Sequence, residues 1–270
     1  MGGLLLRNCD TLRFVDRQPA FAFHQDLWVE GNRITQMTPT GSLPTPADLQ
    51  VIEAGGLLAV PGMINTHAHV PMVLFRGVAE DVTLEDWFNQ YIFPLESNLT
   101  PEDVYWGALL GMAEMIEAGI TGVADHYFYM DEVARAVQES GLRANLVWAV
   151  FEHEGLEKLK RSIQFIQRWQ GTADGRITTW LGPHSPYLCG PDFLRTCAQR
   201  AADLEVGIHL HVSETAAQVE LSRQRYGLTP TVLSGVLADD VLARRITTSD
   251  LVSMARAGEL RLRPILMTTL

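Results

Sequence analysis

From about residue 57 onward, short apolar runs alternate with helix-patterned segments, and this alternation constrains the fold more than any other feature. The strand candidates are 57–69, 120–126, 144–150, 177–183 and 206–212. The clearest helix between them opens with Thr100 as N-cap, Pro101 at the first helical position, and Glu102 and Asp103 in the first turn. Val104, Ala108, Met112 and Met115 recur at helical spacing, and Gly119 can stop the helix. Further helices are predicted over 131–140, 156–170 and 191–204, the second with Leu156, Leu159, Ile163 and Ile166 on one face. Alternation this regular implies βα units on a parallel sheet, closed into an eight-fold barrel or left as an open wound sheet. No GxGxxG or GxxxxGK[ST] follows a strand, which weighs against the nucleotide-binding versions.

Residues 1–56 have a different texture. Short apolar runs near residues 4–6, 22–29 and 33–37 are separated by Gly31-Asn32 and by the Pro/Thr/Gly-rich stretch TPTGSLPTPAD, which reads as a small β region. Two domains are therefore expected, 1–56 and 57–270. The net charge of −11 argues against a nucleic-acid partner. Apolar residues at 47% and charged residues at 20% exclude wholesale disorder. Cys9, Cys189 and Cys197 form no CxxC pair, so a reducing compartment is expected. The apolar run at the N-terminus is shorter than the ~7–15 residues of a signal peptide, and no stretch reaches the ~18 of a membrane helix. A soluble, cytoplasmic protein with no membrane partner is the expectation.

The chemistry is suggested by histidines at strand ends. His67-Ala68-His69 closes the first strand of the alternating region, and residues two apart on a strand share a face, so both imidazoles can converge on one metal ion. His209-Leu210-His211 repeats the pattern on the fifth strand candidate, and Glu214 follows three residues later. His184, in GPHSPYLC, ends the fourth strand. These are the strand ends where barrel active sites are built. Each residue also has a plainer reading: His184 as a turn residue between prolines, Glu214 as a first-turn helix acid, and the HxH pairs as unrelated histidines. Together they suit metal-assisted hydrolysis, in which zinc held by histidines keeps an open position and lowers the pKa of water to about 7 while a carboxylate moves protons. His126 is expected to pack, His24 and His153 to lie on the surface, and Trp87 to pack or stack on a ring.

The segments PGMINTHAHVPMVLFRGVAEDVTLEDWFNQYIFPLE, GPHSPYLCGPDFL and IHLHVSET resemble the amidohydrolase superfamily. The branch is that of 5-methylthioadenosine/S-adenosylhomocysteine deaminases and chlorohydrolase-type triazine enzymes, and the likeness runs over residues 4–235. It implies a (β/α)₈ TIM barrel with a small β-sandwich built from both chain ends. It also implies Zn²⁺, or another divalent transition metal, held by His67, His69 and His211, with His209 structural. Glu214 would shuttle protons at a purine ring, Glu96 in FPLE would bind ribose hydroxyls, and His184 would contact the substrate. The implied reaction is hydrolytic deamination of an adenine-type nucleoside or related heterocycle, a small-molecule substrate, by a zinc-activated hydroxide; separately, the exposed strand edges of an incomplete barrel would favour self-association into a homo-oligomer. Within the family, guanine deaminase and chlorohydrolase activities are the alternatives.

Two family motifs are absent: a histidine from the sixth strand and an aspartate from the eighth. No histidine follows His211, and Arg244 and Arg245 stand about where the former belongs. The next family helix is expected over 249–257. Length points the same way. Successive strands from residue 57 to 206 are about 37 residues apart, and a whole barrel takes about 250 residues. The chain is thus expected to hold about five to six of the eight βα units, as a truncated or frame-disrupted product, with an inactive fragment as a further alternative. Trp148 and the arginine-free stretch EHEGLEK occupy places where some relatives carry substrate-binding arginines, which argues for a substrate smaller than adenosylhomocysteine.

Overall fold

The computed structural model describes residues 3–44 and 49–242, and the chain divides after Gly62 into two compact units. Residues 244, 245 and 249–257 lie outside the described residues.

The first unit is one sheet. Strands β1 (Leu4–Val15), β2 (Gln18–Glu30), β3 (Arg33–Pro39) and β4 (Gln50–Glu53) run in the order β3-β2-β1-β4, with β5 (Leu58–Ala59) parallel to β1 at Asp10 and Thr11. The first two strands are longer than their apolar cores predict. Asp16 and Arg17 both take positive φ, 49° and 65°, making the tight turn a two-residue hairpin needs without the Asn-Gly signature that announces one. Cys9, Leu27 and Ala54 form the buried cluster of this sheet.

The apolar run 57–69, which reads as one strand, belongs to both units. Leu58 and Ala59 pair with β1, Pro61 and Gly62 interrupt the ladder, and the chain resumes as β6 (Met63–Ala68). Proline has no N–H to donate, so a break at this point is physically natural.

In the second unit β6, β7 (Ile120–Tyr127), β8 (Arg143–Val150) and β9 (Ile177–Pro183) form a parallel sheet in that order. The fifth strand predicted at 206–212 is reduced to one parallel bridge, Leu181 with Ile208. Helices α1 (Pro101–Glu117), α2 (Met130–Ser140), α3 (Gly155–Trp169) and α4 (Pro191–Asp203) alternate with these strands, followed by α5 (Ala216–Tyr226) and α6 (Pro230–Leu242). The start of α1 is a capping box: Thr100 accepts from the Asp103 amide and Asp103 accepts from the Thr100 amide. Its predicted face, Val104, Ala108, Met112 and Met115, is buried in the core. In α3 the buried side is Leu159, Ser162, Phe165 and Ile166, while Leu156 is 66% exposed, so the stripe is rotated from the predicted one. Gly141 ends α2 at φ 78°, and the Arg176 guanidinium donates to the carbonyls of Val137, Gln138 and Leu142 at that terminus. Among the described residues no helix is long and apolar enough to cross a membrane.

Two close approaches bring the strands and loops into place. Asp125 on β7 is fully buried, and its Oδ1 accepts the Val70 amide at 2.9 Å, pinning the chain immediately after His69. Gly182 on β9 lets its neighbours close in: an added Cβ would collide with Val147 Cγ1 and stand 2.7 Å from the Trp148 carbonyl and 2.9 Å from His126 Nε2. Gly182→Ala is therefore expected to cost about 1–3 kcal/mol by overpacking. A lowered urea midpoint at unchanged slope is the measurement that checks it.

Candidate metal centre

The parallel register carries the ends of β6 to β9 to one edge of the sheet. His67 is on β6 and His69 one residue beyond it, His126 is near the end of β7, His184 directly follows β9, and His209 and His211 follow the bridge at Ile208. These imidazoles gather into a well. The rings of His67, His69 and His211 form a nearly equilateral triangle, with centroid separations of 5.4, 5.3 and 5.2 Å. One ligand nitrogen from each lies within 4.8 Å of the other two.

Hydrogen bonding selects the tautomers. His69 Nδ1 stands 2.6 Å from the His126 carbonyl, and His211 Nδ1 stands 3.2 Å from the His184 carbonyl. A carbonyl only accepts, so both Nδ1 atoms carry the proton and both Nε2 atoms carry a lone pair. Those two Nε2 atoms face each other at 3.3 Å with no proton between them. Facing lone pairs repel, and a cation resolves the conflict. Ligand atoms of a tetrahedral ion with bonds of ~2.0–2.1 Å stand about 3.3–3.4 Å apart, so the pair fits zinc.

Burial reinforces this. It lowers the pKa of His69 and of His211 to about 4, helped by neighbouring imidazoles, so both are neutral at physiological pH. His184 and His209 fall to about 3 for the same reasons. His209 stands outside the triad, with its ring stacked 5.3 Å from that of His126. His126 is 2% exposed and reaches the Gly182 carbonyl through Nε2 at 3.3 Å, so it both packs and borders the site. His24 and His153 are exposed.

A cavity of about 480 Å³ adjoins the triad. His69, His211, His184, Glu96 and Glu214 line it, together with an aromatic wall that includes Trp87, Phe88, Phe93, Phe128 and Phe151. Much of that wall comes from the segment between β6 and α1, where Thr83 caps a helical turn and a π-helical turn, Trp87–Ile92, leads to the short helix Phe93–Glu96. The His184 ring stacks on Phe151 at 4.7 Å and on His211 at 4.6 Å. Burial raises the pKa of Glu96, opposed by the Tyr127 hydroxyl beside it. Glu214 accepts a hydrogen bond from Tyr187.

Every candidate site residue, His67, His69, His184, His211, Glu96 and Glu214, thus meets at the triad or the cavity. Asp125, Tyr127 and Tyr187 were not anticipated. A signal existed for the first, since Asp125-His126 is a polar pair inside an otherwise strand-like run, and Tyr187 sits within the GPHSPYLC motif.

The buried imidazoles set a pH dependence for the metal-free protein. Unfolded, they take up protons near 6.5, whereas folded His69 and His211 do so only at about 4 and His184 and His209 at about 3. The unfolded state therefore binds more protons in this window, and stability falls as pH drops from about 6.5 toward 4. Asp125 opposes them: burial raises it from 3.8 to about 7, so the folded state holds one extra proton in the same range. With His126 also held well below its ordinary value, five buried imidazoles outweigh the two raised carboxyls, Asp125 and Glu96. Urea midpoints of metal-free protein are expected to fall steadily from pH 7.5 to pH 5, and a flat profile would mean that the imidazoles are solvated.

The model of the amidohydrolase family matches residues 58–260. The 5-methylthioadenosine/S-adenosylhomocysteine deaminase of Carboxydothermus hydrogenoformans is 45% identical over 230 residues, covering 84% of this chain and 52% of the relative. An adenosine deaminase from Xanthomonas campestris, solved with bound zinc, superposes with a TM-score of 0.78 at 28% identity, covering 87% of this chain and 54% of the other. The atrazine chlorohydrolase of Arthrobacter aurescens TC1 complexed with zinc shares the fold, with a TM-score of 0.76 at 22% identity over 87% of this chain and 58% of that one. The chain spans about half the length of these relatives. With the family model matching 203 residues, from 58 to 260, the chain belongs to the amidohydrolase family.

Proposed function

We propose that this chain carries the metal-binding and proton-transfer half of a hydrolytic deaminase acting on an adenine-type nucleoside or related heterocycle. The observation that carries the reading is the meeting of the His67, His69 and His211 triad with the Glu214 carboxylate beside one aromatic-walled cavity. Kinship with proteins named methylthioadenosine/adenosylhomocysteine deaminase supports the substrate class.

His67, His69 and His211 would hold a divalent ion, which would supply Lewis acidity and lower the pKa of water there. The chain's own groups do the rest. Glu214 takes a proton from the attacking water at a carboxylate oxygen as the water oxygen bonds to the ring carbon bearing the amine, and returns that proton to the amine nitrogen, so that the carbon–nitrogen bond breaks and ammonia leaves. The aromatic wall, with Trp87, Phe88 and Phe151, holds a flat ring and keeps bulk water out. Glu96, also in the cavity lining, offers a carboxylate to hydroxyl groups such as those of a ribose. His184, stacked between Phe151 and His211, presents a polar ring edge to the substrate. The cavity volume of about 480 Å³ lies within the range of small-molecule sites, ~300–1,000 Å³.

Purified chain supplied with zinc is expected to release ammonia from methylthioadenosine or adenosine. His67→Ala should lose both metal and ammonia release. Glu214→Gln should keep the metal and lose about 10²–10⁴-fold in rate. Zinc-loaded, folded protein that leaves both nucleosides intact would overturn the reading.

A further inference from the structure

Glu214 is in turn held by a neighbouring side chain that does not itself reach the substrate cavity. The Tyr187 hydroxyl donates a hydrogen bond to Glu214 Oε2. Tyr187 comes from the turn between β9 and α4, and Glu214 from the segment before α5, so the bond joins two separate loops of the site. Tyr187 is not among the residues lining the large cavity; it borders a crevice of about 10 Å³ beside Gln218 and Tyr226. It therefore stands behind Glu214 rather than against a substrate.

Three further observations place this pair. The Tyr187 ring lies edge-on to His184, with centroids 6.2 Å apart at 80°. The side chains of Ser185 and Gln218 stand near the same hydroxyl. Ser213, the residue before Glu214, takes φ 56°, a left-handed conformation that a side-chain-bearing residue adopts at a cost, and its Oγ lies 3.2 Å from Thr231 Oγ1. Backbone and side chain are thus constrained together at Glu214. A glutamate left to itself has several rotamers within reach, and only some point its carboxylate at the reacting atoms.

We propose that Tyr187 is a positioning residue for the Glu214 carboxylate: its hydroxyl occupies Oε2 and leaves Oε1 as the atom that takes up and returns the proton. Oε1 gains the proton as the O–H bond of the attacking water breaks and loses it to the substrate nitrogen, whose bond to the ring carbon then breaks, while the Tyr187 O–H bond stays intact throughout. This inference rests on the deaminase reading for the task of Glu214, but the hydrogen bond is testable without turnover.

The experiment compares the 270-residue wild-type chain, Tyr187→Phe, Tyr187→His and Glu214→Gln. The infrared difference between wild type and Glu214→Gln isolates the stretching bands of the Glu214 carboxylate. Tyr187→Phe is expected to shift those bands, with zinc content and melting temperature unchanged. In the ammonia assay the same variant should lose kcat by about ten- to a hundredfold, the cost of a misplaced catalytic group, with KM within twofold. Tyr187→His, which keeps a donor, should recover part of kcat. Unshifted bands, an undiminished kcat, or a joint loss of kcat, KM, zinc and melting temperature would each overturn the proposal, the last by showing a merely structural tyrosine. Absence of ammonia from the wild type would instead overturn the deaminase reading and the proton task with it. The infrared shift would still decide whether Tyr187 holds the carboxylate.

Discussion

Two hydrogen bonds, from His69 Nδ1 to the His126 carbonyl and from His211 Nδ1 to the His184 carbonyl, are the constraint on which the site depends. Each acceptor is a backbone group at or just past the end of a parallel strand, so the imidazole orientation is inherited from the sheet rather than chosen by the loop. The ladder between β6 and β7 brings His126 beside His69, and the approach of the chain at Ile208 to β9 brings His184 beside His211. With Nδ1 occupied, each ring has one lone pair left, and both point at the same spot. A side-chain acceptor would be free to rotate away; a carbonyl in a strand is not.

That arrangement has a cost, and the cost is spread over the second unit. Packing His69, His126, His184, His209 and His211 together removes five imidazoles from water. They remain only as neutral rings, because charging any one of them would require solvation that the site withholds and would repel its neighbours. Neutrality is also what a metal needs from a histidine ligand. The same desolvation that penalises the metal-free fold at acid pH therefore keeps the ligands ready near neutral pH. Asp125 shows the opposite response in the same surroundings: burial favours its protonated form, and its Oδ1 nevertheless anchors Val70.

Much of this was legible in the sequence because it rested on periodicity and on strand ends. The strand predicted at 177–183 is β9, and the face Val104, Ala108, Met112 and Met115 of α1 is the buried one, since apolar spacing reports burial directly. His67, His69, His184 and His211 stand out at strand ends and Glu214 by its spacing to His211, Glu96 only through the family resemblance, and the structure brings all six to the triad or the cavity. Less was legible where structure depends on contacts between distant segments. The run 57–69 looks continuous, yet Leu58 pairs with β1 and Met63 with β7, a division that no local pattern records. The fifth strand shrank to one bridge because 206–212 carries its strand-like pattern without a ladder to match among the described residues. Tyr187 was invisible as a partner of Glu214 for the same reason: nothing in the chain between them announces the meeting.

The distribution of rigidity across the site follows from these origins. The imidazoles proposed as ligands sit on a strand, just past one, or just past the bridge at Ile208, where pairing holds them. The cavity wall and the acids sit on connections, where other devices must substitute for a ladder. After His69 the chain turns through a short 3-10 helix, Val70–Phe75, that lies against α1 at Gly107 and Gly111. A Cβ at Gly107 would stand 2.8 Å from the Pro71 carbonyl, and one at Gly111 2.8 Å from Val70 Cγ1. The absence of side chains there lets the connection settle onto α1, which fixes where the segment bearing Trp87 and Glu96 begins. Glu214 has no such bed, and instead it has a left-handed Ser213 on one side and the Tyr187 hydroxyl on the other. Strand carbonyls orient the groups suited to holding an ion. Turn strain and a tyrosine orient the group suited to moving a proton, which has to be held firmly while its free oxygen stays open to the cavity.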